Sequence, residues 1–289
     1  MLPSTTPTVI DVLNTLLELA PAHLAESWDN SGLQAGHPHS PVARLLVALD
    51  PTEQVLEAAA EHGIQMVVTH HPLLFSPLKS IDLSQRIPGI LTGFLKKQIA
   101  LVSCHTNLDS SRGGVNDILA AIIGLSSTRP LIQGENTERE GTGLGRIGSF
   151  DRPRRLEEIV KIISNGLNIP CLPVVGRPDQ VISTAAVCGG SGSDLWLHAV
   201  RQGADLFVSG EIKHHVAKEA EQLGLAVVDG GHFHTEWPVV PAVAEYLREK
   251  ATRKGWRLEV MVLKEEKSPF TFWINEDTRS GHAIRPFSI

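Results

Sequence analysis

The sequence of 289 residues contains few cysteines and no long apolar run. Cys104, Cys171 and Cys188 are too few and too scattered for a disulfide framework or a zinc site built from thiolates. No apolar run approaches the length of about 18 residues that spans a membrane. Residues 1–7 lack the basic residues and the apolar core of a signal peptide. These absences predict a cytoplasmic protein with no membrane partner.

An excess of positive charge is also missing. The chain has 26 Lys and Arg against 32 Asp and Glu, which gives a net charge of −6. This balance argues against a protein whose main task is to bind nucleic-acid phosphates. The apolar fraction of 42% and the charged fraction of 20% are typical of a globular protein, and the chain is long enough to bury a full core.

Strand and helix patterns alternate along most of the chain. Short apolar runs such as 45–49 and 64–69 are separated by segments with the apolar spacing of amphipathic helices. This order predicts an α/β fold with mostly parallel sheets. Residues 126–145 are polar and are interpreted as a connector between two α/β lobes. Residues 265–289 show no clear period and are interpreted as a tail.

Histidine is abundant, and its distribution is uneven. Six of the 13 histidines fall in three short clusters: 70–71, 214–215, and 232 with 234. His70 and His71 follow an apolar strand and precede Pro72, which ends the strand. Both side chains could therefore turn toward one crevice and each bind one of two neighbouring metal ions. The alternative is a pair of capping or surface histidines.

Two further strand ends combine histidine with a carboxylate. His105 and Asp109 follow the run 99–104, although these residues also suit a turn. His232 and Glu236 are four residues apart, so a helical turn would place them on one side, where they could bind a divalent ion. The alternative is a helix N-terminus with Thr235 as its cap.

Jointly, the strand ends supply His70, His71, Asp109, His232 and Glu236. In open α/β sheets, ligands bind at the carboxyl ends of strands, so these side chains are expected to meet. Three imidazoles and two carboxylates suit Zn²⁺, Fe²⁺ or Mn²⁺ rather than Ca²⁺ or Mg²⁺. We therefore predict two divalent metal ions with room for a bridging water, an arrangement that activates water for hydrolysis.

Two other motifs have less defined roles. The turn Gly189–Asp194 could present backbone N–H groups to a phosphate, or it could be only a tight turn. His214 and His215 are predicted in mid-helix as packing or pocket-lining residues, with Glu211 and Lys213 as possible substrate contacts.

Taken in order, the motifs resemble the NGG-interacting-factor-three-like family, the GTP cyclohydrolase 1 type 2 homologues. The matching segments are 28–34, 69–72, 105–109, 189–192, 210–214 and 231–236. The resemblance implies a dinuclear metal site carried by the five residues above, with His105 as a further ligand or a partner of one.

The resemblance also implies a homohexameric ring made of chains with two interleaved α/β lobes. We expect lobe one at about 1–125 plus 230–264, lobe two at about 146–229, and a C-terminal extension at 265–289. The short connector indicates the compact form without an insert between the lobes.

The activity implied by the resemblance is GTP ring opening. Metal-activated water would attack C8 of the guanine of this small-molecule nucleotide, and formate would be released. Asp109 or Glu236 would bridge the two ions. Two alternatives stay open, namely a non-catalytic metal-binding ring that acts as a scaffold or metal chaperone, and a two-metal phosphodiesterase.

Overall fold

The computed structural model describes residues 5–134 and 141–272, which form two β-sheets with helices packed against them. The first sheet has five strands in the order β1-β4-β3-β2-β11. Its central strands are parallel, and β1 pairs antiparallel with β4 at one edge. The strands are β1 (Gly32–Ala35), β2 (Arg44–Ala48), β3 (Met66–Thr69), β4 (Ala100–Ser103) and β11 (Glu259–Val262).

The second sheet has six strands in the order β5-β6-β8-β9-β10-β7. Its strands are β5 (Ser126–Gln133), β6 (Gly143–Arg155), β7 (Val174–Val175), β8 (Val181–Cys188), β9 (Leu206–Ser209) and β10 (Ala226–Asp229). The three neighbours β8, β9 and β10 are parallel, whereas β5, β6 and β7 are joined by antiparallel pairings. The predicted α/β class with two sheets is confirmed.

The interpretation of residues 126–145 as a connector is wrong for most of that segment. Residues 126–133 form the edge strand β5, which pairs with β6. The first four residues of β5 are exposed, so this part of the strand lacks the apolar alternation that marks a half-buried strand. Residues 135–140 of the segment lie outside the described residues.

Ten α-helices cover the sheets within the described part of the chain. They are α1 (Val9–Leu19), α2 (Glu53–Glu61), α3 (Arg86–Lys96), α4 (Thr106–Ser110), α5 (Val115–Ile122), α6 (Leu156–Gly166), α7 (Trp196–Arg201), α8 (His214–Leu223), α9 (His232–Glu236) and α10 (Val239–Lys254). The side chain of Thr52 caps α2 by accepting a hydrogen bond from the N–H of Val55, as its position before the helix predicts. The longest of these helices has 16 residues, and none of them is long and apolar enough to cross a membrane.

The core explains why the central strands are continuous apolar runs. Leu45 and Val47 of β2 face the cluster that contains α1 and α10, whereas Leu46 and Ala48 face the cluster that contains α2 and α3. Alternate residues of one strand point to opposite faces, so a strand covered on both sides needs apolar residues throughout. Polar residues are therefore concentrated after the carboxyl ends of these strands, on one side of the sheet.

Candidate metal centre

His70 and His71 follow directly after β3, and both imidazoles are held through Nδ1. His70 is only 2% exposed. Its Nδ1 lies 2.8 Å from the carbonyl oxygen of Cys104 and donates a hydrogen bond to it. The Nδ1 of His71 lies 2.8 Å from Oδ1 of Asp50. Because Nδ1 is engaged in both rings, Nε2 is the atom that each ring presents to the centre.

Asp109 and His105 follow the neighbouring strand β4. His105 precedes α4, and Asp109 lies on that helix one turn later. Oδ1 of Asp109 is 3.6 Å from Nε2 of His70. A ring nitrogen of His105 lies within 4.8 Å of ring nitrogens of His70 and His71. His105 is therefore part of the cluster, as a further ligand or as a partner of the ligands.

His232 and Glu236 come from the second sheet, on the short helix α9 that follows β10. Their spacing of four residues places both on one side of the helix, with Nε2 of His232 3.0 Å from Oε2 of Glu236. The Nδ1 of His232 is 3.1 Å from Oε1 of Glu211. As with His71, a carboxylate holds Nδ1 and leaves Nε2 facing the centre.

The carboxylate of Glu236 lies between two groups of ligands. Its Oε1 is 3.7 Å from Nε2 of His70, and its Oε2 is 3.1 Å from Nε2 of His71. One group consists of His70, Asp109 and Glu236, and the other of His71, His232 and Glu236. Within each group the ligand atoms lie within 4.8 Å of one another. Each of the two groups could hold a metal ion, and Glu236 belongs to both.

Three buried atoms of this centre have no hydrogen-bond partner: Nε2 of His70, Oδ1 of Asp109 and Oε2 of Glu236. The first two are separated by 3.6 Å, which is too long for a direct hydrogen bond. An unsatisfied buried polar atom costs about 1–3 kcal/mol, so such atoms call for a partner. A divalent cation bound by both atoms would supply one, and the imidazole and carboxylate donors fit Zn²⁺, Fe²⁺ or Mn²⁺.

The charges of the cluster favour the binding of a positively charged group between the carboxylate of Glu236 and the histidines. Burial raises the pKa of Glu236, but hydrogen bonds and charge from His232, His70 and His71 outweigh it and hold the pKa well below its usual range. Burial lowers the pKa of His71, but Asp50 and Glu236 outweigh it and raise the pKa to about 10. Without a cation, protons on the histidines therefore supply the positive charge that the carboxylate of Glu236 requires.

The turn at 189–192 makes room for Glu236. Gly190 has a φ of +65°, and a Cβ at this position would overlap Oε1 of Glu236 and lie 3.4 Å from Nε2 of His232. Only glycine combines this backbone conformation with this close approach. The sequence signal Gly-Gly-Ser-Gly therefore reflects the packing of a carboxylate against the turn.

Of the two alternatives for this turn, a phosphate site and a tight turn, the hydrogen bonds of its three glycine amides favour the tight turn. Each of them already donates a hydrogen bond within the chain. The pairs are Gly189 to Asn116 Oδ1, Gly190 to Thr235 Oγ1 and Gly192 to Ser209 Oγ. The alternative in which Thr235 caps the helix is wrong, because Thr235 lies inside α9 and residue 231 is the N-cap.

His214 and His215 do not belong to the centre. They are the first two residues of α8 rather than mid-helix residues, because the preceding segment is not helical. Lys213, expected as a possible substrate contact, pairs with Asp194. Glu211 holds His232 and so reaches the centre indirectly.

Sequence reasoning missed two carboxylates that support the centre. Asp50 holds His71, and Asp29 accepts a hydrogen bond from Nδ1 of His105 at 2.7 Å. Asp50 follows β2 at the same sheet edge as His70, so the strand-end rule could have found it. Asp29 lies in the turn that precedes β1, and only its place in the motif 28–34 drew attention to it.

A cavity of about 550 Å³ lies beside the centre. His71 and His232 line it, so it gives access to one of the two groups of ligands. Its other walls come from residues of both sheets and from the segment after β11. The described residues that line it, apart from these two histidines, are Leu49, Asp50, Ile169, Cys171, Pro173, Glu211, Asp229, Gly230, Gly231, Phe233, His234, Ser268, Pro269, Phe270 and Phe272.

Residues 7–269 match the model of the Duf34/NIF3 (NGG1p interacting factor 3) family. The chain belongs to the Duf34/NIF3 family. A Clostridium perfringens member named GTP cyclohydrolase 1 type 2 homolog is 34% identical over 262 residues, which cover 91% of this chain and 98% of that protein. The match confirms the family resemblance seen in the ordered motifs.

Solved structures of Duf34/NIF3 proteins share the fold. A Bacillus cereus protein related to NIF3 has a TM-score of 0.87 and 25% identity, and the match covers 93% of this chain and all of that one (100%). Reduced HcgD from Methanocaldococcus jannaschii has a TM-score of 0.77 and 31% identity, with 90% of this chain and 99% of that one covered. The two-sheet arrangement is therefore shared over nearly the whole length of these proteins.

Proposed function

We propose that this Duf34/NIF3 protein is a hydrolase that uses two divalent metal ions bound by His70, His71, Asp109, His232 and Glu236. The observation that carries the proposal is the position of the Glu236 carboxylate between two groups of ligand atoms. Two cations that share a carboxylate would lower the pKa of a water molecule and stabilise negative charge that develops on the substrate.

The remaining side chains orient the ligands. Asp50 and Glu211 hold the Nδ1 atoms of His71 and His232, and the carbonyl of Cys104 holds that of His70. Partners of this kind fix the tautomer and the direction of a metal-binding imidazole. The three Nε2 atoms are therefore set before any ion binds.

The leading substrate in this proposal is a purine nucleotide, GTP. Its support is the name of the relatives, GTP cyclohydrolase 1 type 2 homolog, together with a cavity that opens beside His71 and His232. Attack of water at C8 would open the imidazole ring of guanine to a formamide, and a second water would release formate.

The test combines metal analysis with an assay for formate. The protein is purified with Zn²⁺, Fe²⁺ or Mn²⁺, and its metal content is compared with that of His70→Ala and Glu236→Ala. We expect about two ions per wild-type chain and loss of metal from both variants. His215→Ala, which removes a histidine outside the centre, is the matched control and should keep both ions.

Each readout judges a different part of the proposal. Full metal content in His70→Ala and Glu236→Ala would contradict the ligand assignment. A protein that holds both ions but releases no formate from GTP would contradict the choice of substrate. Formate release that is lost in Glu236→Ala and kept in His215→Ala would support both parts.

We also propose that the chain assembles into the homohexameric ring expected from the resemblance. Its support within the described residues is a run of exposed apolar side chains between β3 and α3, including Phe75, Ile81 and Leu83. Exposed apolar clusters of this kind mark contacts with other molecules. Sedimentation velocity would give the mass of six chains if the proposal holds, and a monomer mass would contradict it.

A further inference from the structure

The segment 265–272 is attached to the sheet edge that carries the metal centre. The interpretation of residues 265–289 as a loose tail is wrong for this part, and residues 273–289 lie outside the described residues. The carboxylate of Glu266 accepts hydrogen bonds from the N–H of Leu49 at 3.0 and 2.8 Å and from the N–H of Asp50 at 3.1 Å. One carboxylate thus fixes the segment to the end of β2.

The attachment point lies next to the centre. Asp50, whose N–H binds Glu266, also holds Nδ1 of His71 through its carboxylate. Beyond Glu266 the segment runs along the cavity of about 550 Å³ and contributes Ser268, Pro269, Phe270 and Phe272 to its lining. The segment therefore forms one wall of the space through which a substrate would reach His71 and His232.

The wall leaves aromatic rings uncovered. Phe270 is 77% exposed and Phe272 is 40% exposed, although both belong to the lining of a cavity. Phe233 and Ile169 also line this cavity. Large apolar side chains that stay exposed at a cavity indicate a ligand that covers them.

The charged side chains that line the cavity favour an uncharged ligand over a phosphate. The described lining residues include the carboxylates of Asp50, Glu211 and Asp229, and no Lys or Arg. A phosphate placed against these walls, away from the histidines of the centre, would lack the Lys or Arg side chain that usually binds it. A planar uncharged ring would instead stack on the phenylalanines, a contact that is favourable for every heteroaromatic base.

We propose that residues 265–272 are a strap, anchored by Glu266, whose Phe270 and Phe272 bind the planar, uncharged ring of the substrate beside the metal centre. In this arrangement the phosphates of a nucleotide stay outside the cavity. The proposal rests on the proposed function and deepens it, because it names the part of the substrate that the cavity accepts and the residues that select it.

The thiol of Cys171 can be used to measure whether the cavity is occupied. Cys171 lines the cavity and is exposed, whereas Cys104 and Cys188 are buried. Burial raises the pKa of the Cys104 thiol to about 12 and also raises that of Cys188. Alkylating reagents reach exposed thiols and not buried ones, so we expect iodoacetamide to modify Cys171 selectively.

The experiment uses guanosine and adenosine as uncharged probes with the full-length, zinc-loaded protein. Affinity is measured by calorimetry, and occupancy of the cavity is measured as protection of Cys171 from iodoacetamide. We expect both nucleosides to bind and to slow the alkylation of Cys171 severalfold.

In the variant Phe270→Ala/Phe272→Ala the affinity for both nucleosides should fall by about fivefold or more, since one base–aromatic contact contributes about 1–3 kcal/mol. Leu223→Ala, which removes an exposed apolar side chain elsewhere, is the control and should bind as the wild type does.

The anchor is tested with a neighbouring pair of glutamates. Glu266→Ala should weaken nucleoside binding as the double variant does, because it releases the strap from β2. Glu265→Ala, at an exposed position one residue earlier, should have no effect. Both variants are checked for unchanged metal content, so that a disturbed centre is recognised.

Three results would overturn the proposal. They are the absence of nucleoside binding to the wild type, equal affinity of the wild type and the double phenylalanine variant, and nucleoside binding that leaves the alkylation of Cys171 unchanged. Formate release from GTP is measured on the same samples. Protein that binds nucleosides as expected but releases no formate contradicts the proposed reaction and leaves the strap supported.

Discussion

The Nδ1 atom of His105 lies 2.7 Å from Oδ1 of Asp29, a contact between residues 76 positions apart in the sequence. Burial raises the pKa of Asp29, but hydrogen bonds from His105, Thr106 and Ser31 outweigh it and keep the pKa well below its usual range. Asp29 therefore stays ionised and fixes the ring of His105 beside His70 and His71.

Replacing Asp29 should weaken metal binding without touching any of the five proposed ligands. We expect Asp29→Ala to lower metal affinity about 10- to 100-fold, the usual effect of removing a carboxylate that orients a histidine. Competition with a chelator measures this change. Asp179→Ala, at an exposed acidic position that pairs with Arg177 and contacts none of the residues of the centre, is the control. Equal affinities in the two variants would contradict the assignment.

Gly190 provides a steric test of the bridging position of Glu236. In Gly190→Ala, the new Cβ overlaps Oε1 of Glu236, and the positive φ adds backbone strain. We expect reduced metal content and a loss of stability of about 1–3 kcal/mol. Elemental analysis and urea unfolding measure the two effects.

Gly203→Ala is the matched control for this variant. Gly203 also has a positive φ of +77°, but a Cβ there would meet nothing within 4 Å. The control should show the strain and keep its metal. Loss of metal in both variants would mean that backbone strain, and not overlap with the carboxylate of Glu236, causes the loss.

Metal binding should release protons. The raised pKa of His71, about 10 in the absence of a cation, means that this ring is protonated near neutral pH and must lose a proton when an ion binds Nε2. The apparent affinity for Zn²⁺ should therefore increase with pH. Calorimetry in two buffers of different ionisation enthalpy counts the protons, and a binding enthalpy that does not depend on the buffer would contradict the expectation.

The anchor of the strap should make stability depend on pH. Burial raises the pKa of Glu266 from 4.5 to about 7, and the hydrogen bonds from Asp50 and Leu49 only partly offset this effect. Because the folded pKa is above the unfolded one, the stability that this group contributes is fully present below about pH 4.5 and is lost as the pH rises through about 7.

Wild type should therefore lose stability relative to Glu266→Gln between about pH 5.5 and pH 8, by an amount of the order of 1–3 kcal/mol. Urea unfolding at the two pH values measures the difference. Glu265→Gln should follow the wild type at both. A wild type and a Glu266→Gln variant with parallel pH profiles would show that Glu266 titrates in its ordinary range.

The sequence was sufficient to predict that the histidines and carboxylates of the candidate centre meet. His70, Asp109 and His232 follow apolar strands, and the carboxyl ends of parallel strands share one edge, so their meeting follows from the pattern alone. The four-residue spacing of His232 and Glu236 likewise predicts one helix face. These rules are local or topological, and for that reason they can be applied to a single sequence.

Other features depend on contacts that no local pattern records. The edge strand β5 has exposed polar residues, so its pairing with β6 is not visible as an apolar alternation. Glu266 contacts Leu49 from 217 positions away, within a segment that has no period. Gly190 suggested an anion site because a glycine turn has the same composition whether it surrounds a phosphate or a protein carboxylate.

The five proposed ligands come from different parts of the architecture. His70, His71 and Asp109 follow strands of the first sheet, whereas His232 and Glu236 follow a strand of the second, and His71 and His232 are 161 positions apart. Bound ions would therefore cross-link the two sheets, and the ions would contribute to the cooperativity of unfolding as well as to chemistry. Removing the ions should lower the midpoint of thermal unfolding, because ions that bind only the folded chain stabilise it.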